Sequence, residues 1–361
     1  MSARRRPRVV IAGAGHASLV ALLDLAGRPA EADVTLVSRL DHAHYSGMVP
    51  GWIEGIYREE EMSVPLAPFA ARTGVELVTG DIAGADDAAL TLSDGRRVAF
   101  DILVINTGSD TAIPRSLAEG GAIPAKPFET LIAGIGPRLD DARSFIVAGG
   151  GVAGVEIALS IRARRPDAPI AIVERGETLL AGQPRAFVRR NLVHIERAGI
   201  DLRLGRTVES LEDEEARLDD GAILPAAAVL ALTGPRPQAW LANTPFPRAS
   251  DGFLAVDGRM RVKGHPHVLA VGDVATRQDD PRPKAGVFSV RAGPPLADAI
   301  RALVAGAEPQ PLTLQRRGLI LLSTGGRNAI GVRNGIVLEG RWVWRLKDRF
   351  DRTFIRRLSG G

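Results

Sequence analysis

The short apolar run from Arg8 to Ala12 breaks off at Gly13-Ala14-Gly15-His16-Ala17-Ser18, and from Leu19 to Leu25 apolar residues recur at helical spacing. Such a run, a glycine turn and a helical period predict a strand, a tight turn and a helix. Val34-Thr35-Leu36-Val37 supplies the second strand of a strand-helix-strand unit. The same pattern returns at Ser144 to Ala148, followed by Gly149-Gly150-Gly151-Val152-Ala153-Gly154, an apolar helix, and the strand Ile170 to Val173 ending at Glu174. The chain therefore carries two openings of a parallel α/β nucleotide fold. Alternating runs with turn signals, Leu90 to Phe100 around Ser93-Asp94-Gly95 and Leu218 to Ile223 around Asp220-Gly221, predict antiparallel hairpins joining the parallel units. Three further apolar strands end at Gly108, Gly234 and Gly272, and Pro- and Gly-rich stretches near 112–124 and 234–252 mark crossings between domains.

Composition narrows the class. Of 361 residues, 45% are hydrophobic and 24% charged, the balance of a soluble globular protein of two or three domains. No stretch approaches the roughly 18 to 20 apolar residues of a membrane span, which excludes a transmembrane protein. The basic start enters a glycine turn instead of a cleavage site, so a cytoplasmic protein is expected. Lys stands only at 126, 263, 284 and 347, so arginine dominates the 46 basic residues; a net charge of +4 without a recognition motif argues against a nucleic-acid partner. Cysteine is absent, which removes thiol nucleophiles, thiolate metal sites and dithiol redox chemistry. The pairs His42/His44 and His265/His267 have neither i,i+4 helical geometry nor the carboxylate partners of a metal site, so no metal is expected.

The second glycine loop has the fuller chemistry. Gly149 permits a tight turn, Gly151 lets the backbone approach a pyrophosphate, and Gly154 lets helix and strand pack closely, while Val152 and Ala153 open a helix whose N–H groups favour anions. Glu174 can accept hydrogen bonds from both ribose hydroxyls and repels a 2′-phosphate, which favours NADH over NADPH, although Arg175 beside it suits that phosphate. In the first loop Ser18 stands at the third glycine position, and Ser38 stands where an acid would hold a ribose.

Gly13-Ala14-Gly15, Asp101 to Gly108, the loop at 149–154 with Glu156, Thr233-Gly234 and Val271-Gly272-Asp273 follow one another in a distinctive order. In this the chain resembles the two-dinucleotide-binding flavoproteins of the pyridine nucleotide-disulfide oxidoreductase superfamily, from about residue 8 to residue 300. The resemblance implies an α/β fold with two Rossmann-like domains: an FAD-binding domain over 1–112 and 250–312, an NAD(P)H-binding domain at 113–249 inserted into it, and a small α+β segment at 313–361. It implies FAD held by Gly13, Ala14, Gly15, His16, Ala17, Ser38, Arg39, Pro50, Thr107, Gly108, Gly272, Asp273, Ala285, Gly286 and Val287, with Asp273 on the ribityl chain. NADH would be held by Gly149, Gly151, Val152, Ala153, Gly154, Glu174, Arg175 and Gly234.

Members that reduce disulfides place a cysteine pair beside the flavin, whereas His44 to Gly51 holds none, so electrons must leave the flavin directly for an acceptor. The chain is then similar to type II NADH dehydrogenases. It is more narrowly similar to the flavoprotein module fused to selenide, water dikinase, on Tyr45 to Gly51, Pro281 to Val290, Gly293-Pro294-Pro295-Leu296 and Gly340 to Asp348. This implies an FAD-dependent NADH oxidoreductase with a non-disulfide acceptor, a quinone or a small soluble oxidant. Glu156 would position the nicotinamide or relay a proton, and Lys284 with the helix starting near Val287 would stabilise negative charge on the flavin. Val287 and Arg291 stand where type II NADH dehydrogenases carry two glutamines at the quinone site. That departure supports an alternative, a redox-responsive interaction module that binds FAD and NADH and is linked to selenium metabolism.

In the tail, Val343, Leu346, Phe350, Phe354 and Leu358 fall at three- and four-residue steps among Trp342, Trp344 and many arginines. This predicts a basic amphipathic helix over 341–358, whose apolar stripe lies on the inner face of an anionic membrane or packs on the FAD domain or a second subunit of a homodimer.

Overall fold

The computed structural model describes residues 5–313, 315 and 318–360. The outermost residues of the first and last expected segments, and Leu314, Arg316 and Arg317 within the last, lie outside the described residues. β1 (Arg8–Ala12), α1 (His16–Gly27) and β2 (Asp33–Ser38) form the expected opening unit. β1 and β2 are parallel, with Val9 opposite Val34 and Ile11 opposite Leu36. β1 is covered on both faces, which is why it reads as an unbroken apolar run. β3 (His42–His44) pairs antiparallel with β4 (Ser63–Pro65), and α2 (Val49–Ile53) lies between them in sequence. β5 (Glu76–Thr79) extends the sheet beyond β2, and β6 (Ile102–Ile105) flanks β1 on the other side.

A second sheet of five parallel strands holds Ile123–Pro124, β7 (Phe145–Ala148), β8 (Ile170–Glu174), β9 (Asp201–Leu204) and β10 (Ala228–Ala231), with α3 (Val152–Arg164) following β7. The chain then returns to the first sheet, where β11 (His265–Ala270) sets Val268 opposite Leu103 of β6. Leu254–Val256, Arg261–Val262 and Ala275–Arg277 complete eight strands there. α4 (Gly286–Val304) lies on α1 so closely that a Cβ at Gly293 would stand 2.5 Å from the Val20 Cβ. The expected hairpins form at 89–99 and 215–225.

An antiparallel sheet of β12 (Ile320–Gly325), β13 (Asn328–Arg333) and β14 (Ile336–Gly340) leads into α5 (Arg341–Ser359). α5 is amphipathic as expected, but its buried stripe is not the expected one. Val343, Lys347, Asp351, Ile355 and Leu358 face inward, while Phe350 is 49% and Trp342 51% exposed. The stripe is displaced because Lys347 and Asp351 find polar partners inside the protein, which apolar periodicity alone does not register. Among the described residues no helix is long and apolar enough to cross a membrane.

Candidate functional site

A cleft of about 1080 Å³ opens at the C-terminal ends of β1, β2 and β6, where open parallel sheets place their ligands. Of the residues expected to hold FAD, Gly13, Ala14, Gly15, His16, Ser38, Arg39, Pro50, Thr107, Gly108, Asp273, Ala285, Gly286 and Val287 line it. Ala17 and Gly272 stand just behind the wall, Ala17 fully buried in α1 and Gly272 with φ +79° ahead of Asp273.

The first loop is built around a residue the sequence reading passed over. Asn106, buried at the end of β6, accepts through Oδ1 from the Ser18 N–H and hydroxyl, both at 3.1 Å, and donates through Nδ2 to Val271 O at 2.7 Å. One amide thus ties the glycine loop, β6 and the Gly272-Asp273 turn together. Ser18 takes the third glycine position because its hydroxyl has this partner. Gly13 has φ +97°, and a Cβ there would lie 2.6 Å from Asn106 O. The signal for Asn106 was a polar residue ending an otherwise apolar strand.

The cradle fits FAD. Thr107 Oγ1 is buried in the cleft wall without a hydrogen-bond partner, and glycine backbone with no room for a side chain lines the turn. Asp273 is paired with Lys126, another residue missed from sequence, whose Nζ also lies 3.4 Å from Ser109 Oγ. Arg39 contacts Glu129. His16 is neutral, since burial lowers its pKa to about 4, and its ring meets Tyr45 edge-on at 5.3 Å. Lys284 lines the cleft, but its ammonium is engaged: it donates to Ala275 O at 2.9 Å and Thr276 Oγ1 at 3.1 Å and sits 3.6 Å from the Phe253 ring centroid. Burial lowers its pKa to about 8.

The second loop reaches the same cleft through Val152, Ala153 and Glu156. Gly149, with φ +125°, presses on Leu232, and Gly154 packs on the carbonyl of Gly149, the close approach that its position demands. Gly151 caps α3 in extended conformation with open space beside it. Glu174 closes the loop from the side, its Oε2 accepting from the Gly150 N–H at 2.6 Å and its Oε1 from the Gly176 N–H at 2.7 Å. Arg175 is exposed beside it, and the Gly234 carbonyl accepts from the Ala112 N–H.

Glu156 heads a buried cluster that no local pattern shows. Its Oε1 accepts from the Ser323 N–H of β12 at 2.8 Å and lies 4.0 Å from Lys347 Nζ of α5. Lys347 also donates to Asp351 Oδ2 at 2.8 Å and to the Gly47 carbonyl, and Tyr45 donates to Asp351 Oδ1 at 3.0 Å. Burial pushes the Glu156 and Asp351 carboxyls above their ordinary range, and Asp351 and Glu156 hold Lys347 charged against the same burial. Glu54 accepts from the Ser160 hydroxyl at 3.3 Å beside them. Glu156 and Asp351 thus share one ammonium, and burial favours the protonated form of both carboxyls.

Burial lifts Glu54 from its ordinary 4.5 to about 7. Between those values the folded chain holds a proton that the unfolded chain releases, so stability falls as pH rises through this window. Glu54→Gln needs no proton there and is expected to exceed the parent by about 1–3 kcal/mol at about pH 8, an advantage absent at about pH 4, read from urea midpoints.

The histidine pairs differ from expectation, because each has a carboxylate brought in from elsewhere. His44 Nε2 lies 3.2 Å from Glu59 Oε1, and His265 Nδ1 lies 2.6 Å from Asp87 Oδ1. Tertiary contacts across 15 and 178 residues made these pairings invisible to spacing.

Residues 7–295 match the pyridine nucleotide-disulphide oxidoreductase family. The chain belongs to that family. It is 30% identical over 304 residues to an NADH dehydrogenase-like protein of Mycobacterium tuberculosis, covering 76% of this chain and 74% of that one. It is 29% identical over 294 residues to the ferredoxin–NAD(+) reductase component of the p-cumate 2,3-dioxygenase system of Pseudomonas putida, covering 75% and 68%. Its fold matches NDH2 of Plasmodium falciparum, solved in complex with NADH, with a TM-score of 0.83 over 98% of both chains at 14% identity. As a member of the pyridine nucleotide-disulphide oxidoreductase family the protein is an oxidoreductase that works with FAD and NAD(H), in a cleft without any cysteine.

Proposed function

We propose that the protein oxidises NADH and delivers the electrons to a quinone-type acceptor, with a small soluble oxidant as the second candidate. The reading rests on one observation: the ion-paired Glu156–Lys347–Asp351 cluster lines the same cleft as both nucleotide loops, in a chain without thiols. FAD, held by the loop around Gly13 and Gly15 and by Thr107 and Asp273, supplies the two-electron chemistry when bound. The chain's own residues bind, orient and move protons. Glu174, already fixed by two backbone N–H groups, offers its remaining lone pairs to ribose hydroxyls and repels a 2′-phosphate, so NADH is preferred. Glu156 and Lys347 hold a proton at the inner end of the cleft, where the two-proton reduction of a quinone needs one. Val287, Leu319, Ile320, Leu321 and Phe350 form an apolar stretch of cleft wall suited to a quinone ring. Arg291 at this wall donates to Gln315 Oε1 at 2.6 Å.

The face of α5 that turns outward carries Trp342 and Phe350 among the exposed Arg341, Arg345 and Arg349. That composition suits an anionic lipid surface and agrees with a cytoplasmic protein peripheral on the inner face of a membrane.

One anaerobic experiment tests the reading. The purified yellow protein is expected to bleach with NADH faster than with NADPH, to recover colour with a short-chain quinone, and to sediment with anionic but not neutral vesicles. A protein that bleaches yet fails to recover with quinone would overturn the acceptor assignment, and one that never bleaches would overturn the whole reading.

A further inference from the structure

In β3, the three-residue strand His42-Ala43-His44, side chains two positions apart fall on one face. His42 and His44 accordingly stand together, ring centroids 4.5 Å apart and planes at 89°. Glu59, from the turn Glu59–Met62, comes to the same face and places Oε1 3.2 Å from His44 Nε2. One ligand-capable atom from each of the three lies within 4.8 Å of the others. A fourth group stands outside this trio: Asp41 Oδ1 is 2.6 Å from His42 Nδ1 and orients the ring.

A tetrahedral ion bound at about 2.0–2.1 Å separates its ligand atoms by roughly 3.3 Å. The His44–Glu59 edge has that length before any ion is present. His42 has to close by at most about 1.5 Å, within reach of a ring rotation in a half-exposed strand. Two imidazole nitrogens and one carboxylate oxygen, with an outer carboxylate on one imidazole, form a donor set for borderline divalent ions such as Zn2+. Mg2+ and Ca2+ demand oxygen ligands in larger number, which this face lacks.

We propose that His42, His44 and Glu59 bind one divalent transition-metal ion of the Zn2+ class, with water completing the shell and Asp41 orienting His42. The ion would pin β3 to the turn that holds Glu59. Tyr45, the next residue, donates to Asp351, so the site sits one peptide away from the proton-holding cluster. It is independent of the acceptor reading, since none of the three ligands belongs to that cluster.

His42 and His44 also line the cofactor cleft, so the test uses the FAD-loaded protein. After dialysis against a chelator, Zn2+ is titrated in competition with a chromophoric chelator. The expected result is a single equivalent bound with a Kd of about 1 µM or tighter. His42→Ala and Glu59→Gln are each expected to weaken it by at least about tenfold, Asp41→Asn by a smaller factor, and His265→Ala, in the other pair, not at all. Far-ultraviolet circular dichroism, unchanged across the series, shows that each variant is folded. Binding weaker than about 100 µM, or affinity equal in the parent and the His42 and Glu59 variants, overturns the proposal.

Discussion

Glu156→Gln is expected to lower NADH-driven turnover by about 10²- to 10⁴-fold while leaving FAD bound and NADH affinity within about twofold. The substitution keeps the size of the side chain and an oxygen to accept the Ser323 N–H, so β12 stays in place. What it removes is the capacity to take and release a proton beside Lys347. Burial raises the Glu156 carboxyl, which favours its protonated form, and the acid–base limb of the rate against pH should disappear in the variant. Lys347→Met should lose a similar factor and in addition destabilise the fold by roughly 3–5 kcal/mol, since Asp351 is then left buried without its ion-pair partner. Pre-steady-state bleaching by NADH separates the two halves of the reaction. If Glu156→Gln turns over at the parent rate with an unchanged pH profile, the cluster is structural only.

Gly15→Val is expected to give a protein that purifies without flavin. A Cβ at Gly15 would lie 2.5 Å from Asn106 O and closer still to Asn106 Oδ1. Asn106 cannot retreat, because the same amide holds Ser18 and Val271. The loop must therefore move off β6, and the N-terminus of α1 would no longer be placed to meet a pyrophosphate in the cleft. Far-ultraviolet circular dichroism should show retained secondary structure, and NADH should still bind, since the second loop belongs to the other parallel sheet. A yellow Gly15→Val protein with the parent's flavin content would show that the first loop does not carry the cofactor. Asn106→Ala should give an intermediate phenotype, with flavin bound but released more readily.

Both glycine loops and their flanking strands were legible from the sequence because their signal is local. An apolar strand, a turn that only glycine can make and a helix occupy consecutive residues, and Gly13 and Gly149 do have positive φ. Family membership followed from the order of these local units. The tail was legible as a helix and not as a surface: the apolar stripe pointed to Phe350, whereas the buried stripe runs through Lys347 and Asp351. A periodicity scale counts both as polar, yet a lysine and an aspartate 2.8 Å apart, with Tyr45 and the Gly47 carbonyl to complete them, are stable inside.

Local sequence was thus enough for the α/β class, the two glycine loops after apolar strands, and a chain without thiols. These depend on backbone geometry at glycines and on the absence of cysteine from the composition. Which side chains share the cleft follows instead from packing between distant segments. Asn106 binding Ser18 across 88 residues, Lys126 facing Asp273 across 147, Glu59 facing His44, and Lys347 facing Glu156 are all pairings of groups distant in the chain. A polar residue costs free energy to bury until it meets such a partner, and the partner is chosen by how strands and helices pack, which no single segment of sequence contains.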